Sequence, residues 1–172
     1  FMAAGLIYAA LGHDRIADLA GVARAMPVTV LTFALAGIAL MGIVPSGAYL
    51  AKKLLLGAAS DSGQWWWTLI LQGGAAFTAA YVVLVLVNAL RRPGAPLRVN
   101  RVSAVSEYAA LGLALGSLLL ALAALGPLPR HLVSNPLAAG EIVASLLVVA
   151  AGVALALGLA RQSLFATALH AG

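Results

Sequence analysis

Two adjacent lysines, Lys52 and Lys53, lie in an apolar stretch shortly after the tripeptide Pro45-Ser46-Gly47. Proline removes a backbone hydrogen-bond donor and glycine tolerates non-helical dihedral angles, so this tripeptide predicts a break in a helix. At membrane depth, such a break is tolerated only against protein or a water-filled cavity. A lysine beside it can release and regain a proton, because burial disfavours the charged form. The pattern therefore predicts a proton relay, with Lys52 as its main group and Lys53 as a secondary one.

A simpler interpretation is that both lysines anchor the end of an ordinary span over residues 28–51, with their charged heads at the interface. The apolar sequence continues through residues 54–58, which indicates that the membrane boundary lies beyond the lysines. Tyr49 could hydrogen-bond into the same polar axis, with side-chain packing as the alternative. Both interpretations of the lysines remain open from the residues alone.

The composition is that of a membrane protein. The chain has 172 residues, of which 63% are hydrophobic and 9% charged, and its mean hydropathy is +1.06. Soluble domains carry about 25% charged residues. The absence of cysteine excludes disulfides, thiolate metal sites and iron–sulfur clusters. The three histidines, His13, His131 and His170, do not have the spacing of metal ligands. We therefore predict no metal site, and we also predict no cofactor and no catalytic site on this chain.

The predicted fold is an all-α, polytopic transmembrane helix bundle with one discontinuous helix. The run at 1–11 covers about half the hydrocarbon core, so we expect a truncated helix and a single C-terminal membrane fragment of a longer protein. The tryptophans at 65–67 mark a membrane–water boundary. The predicted elements are the truncated helix at 1–11, a broken transmembrane helix at 28–59, and transmembrane helices at 65–90, 104–125 and 137–160.

The arginines decide the topology. If residues 28–59 cross the membrane once, Arg130 lies alone on one side and all other arginines lie on the opposite side. If residues 28–59 crossed the membrane twice, the arginines would be divided almost evenly between its two sides. Because basic loops stay in the cytoplasm, we predict an inner-membrane protein with loops 13–27 and 91–103 and the C-terminal tail in the cytoplasm. The arginines on that side are Arg15, Arg24, Arg91, Arg92, Arg98, Arg101 and Arg161. The net charge of +5 is loop charge and does not indicate nucleic-acid binding.

Other polar residues have ordinary explanations. Glu107 and Glu141 lie near the starts of predicted spans, where a carboxylate is favoured by the helix dipole. Either could instead pair with an arginine of a neighbouring subunit. Gln72 and Asn88 are single polar groups within a span, which are typical of hydrogen bonds between helices.

The segment MPVTVLTFALAGIALMGIVPSGAYLAKKLLL (26–56) resembles the antiporter-like membrane subunits of respiratory complex I, Mrp sodium/proton antiporters and membrane-bound hydrogenases. The stretches FMAAGLIY (1–8) and GQWWWTLILQGGAAFTAAYVVLVL (63–86) resemble its flanking helices. Lys52 matches the family lysine by its spacing from Pro45. Lys53 falls where the family often has an aromatic or acidic residue, and Val44 replaces the first of two family prolines.

The resemblance implies a proton-translocating subunit of a multi-subunit complex, such as an NADH–quinone oxidoreductase. Any redox chemistry would then belong to partner subunits. The implied partners are the N-terminal part of the same protein, other membrane subunits, the lipid bilayer, and protons or sodium ions. The alternative is a structural membrane subunit without an ion pathway of its own.

Overall fold

The computed structural model describes residues 1–43, 46–93, 99–100, 102–124 and 139–170, and the regular elements in these ranges are all helical. The predicted all-α bundle is therefore confirmed. A short 3₁₀ turn lies at Ile16–Asp18. The α-helices are α1 (Met2–Leu11), α2 (Val22–Ala25), α3 (Pro27–Leu40), α4 (Gly47–Asp61), α5 (Trp66–Leu90), α6 (Ala104–Ala124) and α7 (Ala139–His170).

Glycine and proline set several helix ends. Helix α1 stops at Gly12, whose φ of 76° is left-handed and whose N–H donates to the carbonyl of Tyr8. This is the usual glycine end of a helix. Helix α3 begins with Pro27, the position where a missing N–H costs nothing. Helix α7 continues past residue 160, where the predicted span ended, because a helix need not stop where its apolar sequence stops.

The stretch 28–59 forms two helices rather than one. Helix α3 ends at Leu40 and helix α4 begins at Gly47. Gly42 lies between them with a left-handed φ of 71°, and Ser46 is extended. Pro45, which was predicted to belong to the break, lies outside the described residues together with Val44.

Helices α3 and α5 lie at the centre of the bundle. Helix α3 contacts α1, α5 and α6, whereas α7 packs along α5. Two glycines allow the closest approaches. A Cβ atom on Gly37 would lie 2.5 Å from Val82 of α5, and a Cβ atom on Gly152 would lie 2.8 Å from Ala79 Cβ.

One hydrophobic cluster joins the end of α1, the connector before α3 and the end of α5. The segments 13–27 and 91–93 meet here, because a Cβ atom on Gly21 would lie 2.8 Å from Pro93. The backbone N–H of Asn100 also donates to the carbonyl of Ala10. The buried members of the cluster are Ile7, Ala10, Leu19, Val22, Met26, Val30, Val85 and Ala89.

The outer surface of the bundle is strongly apolar. Phe77 is 71% exposed, and Leu113 and Leu147 are exposed to a similar degree. Such a surface suits lipid or neighbouring membrane helices rather than water. By length and composition, Trp66–Leu90 and Ile142–Ala160 could each cross a membrane. Shorter apolar helices are Met2–Leu11, Pro27–Leu40 and Ala104–Leu119.

Candidate functional site

Lys52 lies on α4, in the second turn after the helix break. Its side chain is half-buried, and its Nζ donates a hydrogen bond of 2.5 Å to Oε1 of Gln72 on α5. The Lys52 Cδ atom lies 3.8 Å from the position that a Cβ atom would take on Gly42. Lys52 therefore bridges the end of α3, where the chain leaves the helix, and the neighbouring helix α5.

Ser46 determines where α4 begins. It is fully buried, and its Oγ accepts a hydrogen bond of 3.1 Å from the backbone N–H of Tyr49. A serine in this position satisfies one of the free N–H groups of the first turn. Since a helix turns by about 100° per residue, the start of α4 also fixes the face on which Lys52 lies. Gly47 is the first helical residue.

Lys53 and Tyr49 are the other residues of α4 that were predicted for the polar axis, and Tyr49, three positions before Lys52, lies on nearly the same face of the helix. Lys53 follows Lys52 directly, so it projects about 100° away around the helix axis, and it is half-buried as well. Tyr49 is buried, with 6% of its surface exposed. Lys52 lies against a polar partner on another helix, Gln72 of α5.

Gln72 is the site residue that sequence reasoning did not connect to the lysine. It was predicted to make an inter-helix hydrogen bond, and it makes one, but its partner could not be identified from the sequence. Asn88, for which the same role was predicted, donates instead to the carbonyl of Leu84 in its own helix. Gly42 was also missed, although a glycine just after an apolar helix is a usual termination signal.

A second polar contact joins α3 to α6. The hydroxyl of Thr29, which is fully buried, donates to Oε1 of Glu107 at 2.6 Å. Glu107 lies in the first turn of α6, as its predicted role requires. Glu141 lies near the start of α7, and its side chain is outside the described part of the chain.

The arrangement around Lys52 suits proton exchange better than ion capture. A lysine ammonium donates hydrogen bonds and accepts none, whereas the Gln72 amide oxygen only accepts. The amide is neutral, so it stabilises the ammonium without compensating its charge. Among the described residues, no group of three or more histidine, aspartate or glutamate side chains could hold a metal ion.

Residues 1–78 match the family model described as NADH:quinone oxidoreductase/Mrp antiporter, transmembrane. The match covers the helix break and both members of the Lys52–Gln72 pair. None of the curated proteins compared with the chain matches it. This match confirms the resemblance drawn from the sequence over residues 1–78, where the chain is similar to the antiporter-like membrane subunits of NADH:quinone oxidoreductases and Mrp antiporters.

Proposed function

We propose that this chain is a proton-translocating subunit of a multi-subunit membrane complex and that Lys52 carries the proton. The observation that supports this proposal is the hydrogen bond from Lys52 Nζ to the neutral amide of Gln72, beside a break between two helices. Lys53 is the secondary group of this relay.

The hydrogen bond to Gln72 lowers the cost of placing a charged lysine at this depth. A lysine at the centre of a membrane helix costs about 2.5–3.5 kcal/mol by insertion scales. A hydrogen bond that involves a charged group returns about 1.5–3 kcal/mol. The bond to Gln72 therefore offsets part of the cost of keeping the ammonium form of Lys52 within the membrane. A carboxylate in place of the amide would hold the ammonium form more strongly, because it would also compensate the charge.

The break supplies a route for water to Lys52. The last carbonyl groups of a helix have no intrahelical partner, and the end of α3 at Gly42 lies against the Lys52 stem. These carbonyls could hold water molecules beside the ammonium group. In this proposal, the break is maintained by Pro45, Ser46 and Gly47. Ser46 caps the start of α4, and Pro45 lacks the backbone N–H group that a continuous helix would need.

The proposal extends to orientation and partners. Segments 13–27 and 91–93 contact each other, which supports one common side for the two arginine-rich loops, and we assign that side to the cytoplasm. The exposed apolar faces would contact lipid, other membrane subunits and the N-terminal part of the same protein. We propose that protons are the transported ions. The alternative within the same mechanism is an exchange of sodium ions for protons.

The test compares Lys52→Met with Lys53→Met in the full-length protein within its complex, reconstituted in vesicles. A pH-sensitive dye follows proton uptake. We expect Lys52→Met to abolish uptake while the complex still assembles, and Lys53→Met to retain most of it. Normal uptake in both variants would contradict the proposal and would identify the lysines as interface anchors of a structural subunit.

A further inference from the structure

His13 has a buried nitrogen atom without a hydrogen-bond partner. The residue follows Gly12 at the end of α1, in the segment that connects to α3. Its Nδ1 atom is buried and makes no hydrogen bond to any described residue, although the side chain as a whole is only half-buried. A buried, unsatisfied polar atom costs about 1–3 kcal/mol. Such an atom calls for a functional explanation.

His13 lines a small cavity with other titratable groups. The cavity holds about 100 Å³, enough for a few water molecules. Tyr8 contributes from α1, Asp14 from the connector and Tyr81 from α5, whereas α3 contributes Phe33. Asp14 is exposed, so the cavity lies near the surface formed by the connecting segment.

This cavity adjoins a larger one that extends along the bundle. The two share Ala4, Phe33 and Tyr81, and the larger cavity has a volume of about 420 Å³. Its hydroxyl groups belong to Thr32, Thr78, Tyr81 and Ser117. The hydroxyls of Thr32 and Thr78 donate to carbonyls of their own helices, so their oxygen atoms can still accept hydrogen bonds from water.

The lining of the larger cavity ends on α3 and α5 before it reaches the lysine site. Leu40, which lines it, is the last residue of α3, two positions before Gly42. Thr78, which also lines it, is six positions after Gln72 on α5. At a rise of 1.5 Å per residue, that separation is about 9 Å along the helix. The two cavities therefore extend from His13 along α3 and α5, and water molecules would have to cover the remaining distance to Lys52 and Gln72, which line neither cavity.

We propose that His13 is the proton-exchange group of this protein at its connector side, and that the two adjoining cavities carry protons between His13 and Lys52. The imidazole takes a proton from bulk water on one ring nitrogen and gives a proton from the other to water in the cavity. Its charge is unchanged at the end of each transfer. The Asp14 carboxylate lines the same cavity and can accept hydrogen bonds from the water in it. The inference rests on the proposed function of Lys52.

The test uses the full-length protein in its complex, reconstituted in vesicles, with His13→Gln and His13→Ala. Glutamine keeps the hydrogen-bonding capacity but cannot carry a proton near neutral pH. We expect both variants to assemble and to slow proton uptake at least tenfold. Added imidazole should restore uptake to His13→Ala, in which the side chain leaves space for the small base. Asp18→Asn, an exposed residue of the same segment that lies outside the cavity lining, is the matched control and should transport normally.

Two results would overturn the inference. Normal uptake by His13→Gln excludes a proton-carrying role, and this variant decides the question alone if His13→Ala fails to assemble. Slow uptake by an assembled His13→Ala that imidazole does not improve indicates a structural role. Lys52→Met, measured in parallel, separates this inference from the proposed function. If it blocks uptake while His13→Gln does not, only the role of His13 is refuted.

Discussion

At the scale of single residues, the partner of Lys52 is the most informative feature. The lysine donates to a neutral amide on the neighbouring helix rather than standing alone in an apolar span. A neutral partner orients the ammonium group without compensating its charge, which the proposed relay requires. The Gln72 side chain is thus predicted to be a positioning group for transport.

Replacing Gln72 by leucine should slow proton uptake without preventing assembly. The variant loses a hydrogen bond to a charged donor, which is worth about 1.5–3 kcal/mol, so the expected decrease is about tenfold to a hundredfold. The measurement is dye-detected proton uptake in vesicles. Gln64→Leu is the matched control, because Gln64 is exposed and bonds only locally to Trp67. Equal rates for the two variants would show that Gln72 does not position Lys52.

Replacing Thr29 by valine should destabilise the contact between α3 and α6. The hydroxyl is fully buried and donates to Glu107, so the variant leaves a carboxylate oxygen without its donor. The expected cost is about 1–3 kcal/mol in the free energy of unfolding. Thermal unfolding of the detergent-solubilised protein measures it. In Thr78→Val, only a bond within α5 is lost, and its unfolding temperature should change much less.

At the scale of elements, the helix break is defined by its two ends. Ser46 caps the start of α4, and Gly42 takes the left-handed conformation after α3. The sequence drew attention to Pro45, Ser46 and Gly47, but the residue with the helix-terminating dihedral angles is Gly42. The break therefore begins soon after Leu40, and the longer non-helical stretch brings the Lys52 stem against the end of α3.

The packing of α7 on α5 depends on Gly152. A Cβ atom at this position would overlap the carbonyl oxygen of Ala76 and approach Ala79 Cβ to 2.8 Å. Gly152→Ala should therefore destabilise the protein by about 1–3 kcal/mol, the usual cost of overpacking. Gly158→Ala on the same helix, with no atom within 4 Å of the added carbon, should be neutral or slightly stabilising. Thermal unfolding compares the two, and equal unfolding temperatures would refute this packing.

At the scale of the whole molecule, the bundle gathers its loops at two ends. The connector before α3 contacts the residues after α5, whereas the turn between α4 and α5 lies at the opposite ends of those helices. The proposed orientation, in which the loops at 13–27 and 91–103 share one side of the membrane, requires such a contact between residues 13–27 and 91–93.

Cysteine labelling can test that topology directly, because the chain contains no cysteine. Arg24, Arg92 and Ser62 are all exposed. In inside-out vesicles, a membrane-impermeant maleimide should label Arg24→Cys and Arg92→Cys but not Ser62→Cys. Right-side-out vesicles should give the reverse pattern. Labelling of Arg24→Cys and Ser62→Cys from the same side would contradict the proposed orientation.

Local features of the sequence were sufficient for the class, the helical fold and the family. Apolar segments and helix-ending residues affect the structure of residues only a few positions away, so their effects can be predicted from short stretches of sequence. This is why an all-helical bundle and a resemblance to the antiporter-like family could be predicted; the helical bundle is confirmed, and the resemblance is confirmed over residues 1–78. The same local reasoning singled out Lys52 as the main candidate for a proton relay, which remains a prediction.

The partners of the polar residues were decided only by the tertiary structure. Lys52 and Gln72 are 20 positions apart, and Thr29 and Glu107 are 78 positions apart. Gln72 and Asn88 look alike as isolated polar residues in one helix, yet only Gln72 reaches across to another helix. Which of them does so depends on the rotation of α5 and on where α4 begins after the break. Those quantities follow from packing among several helices, and no short stretch of sequence contains them.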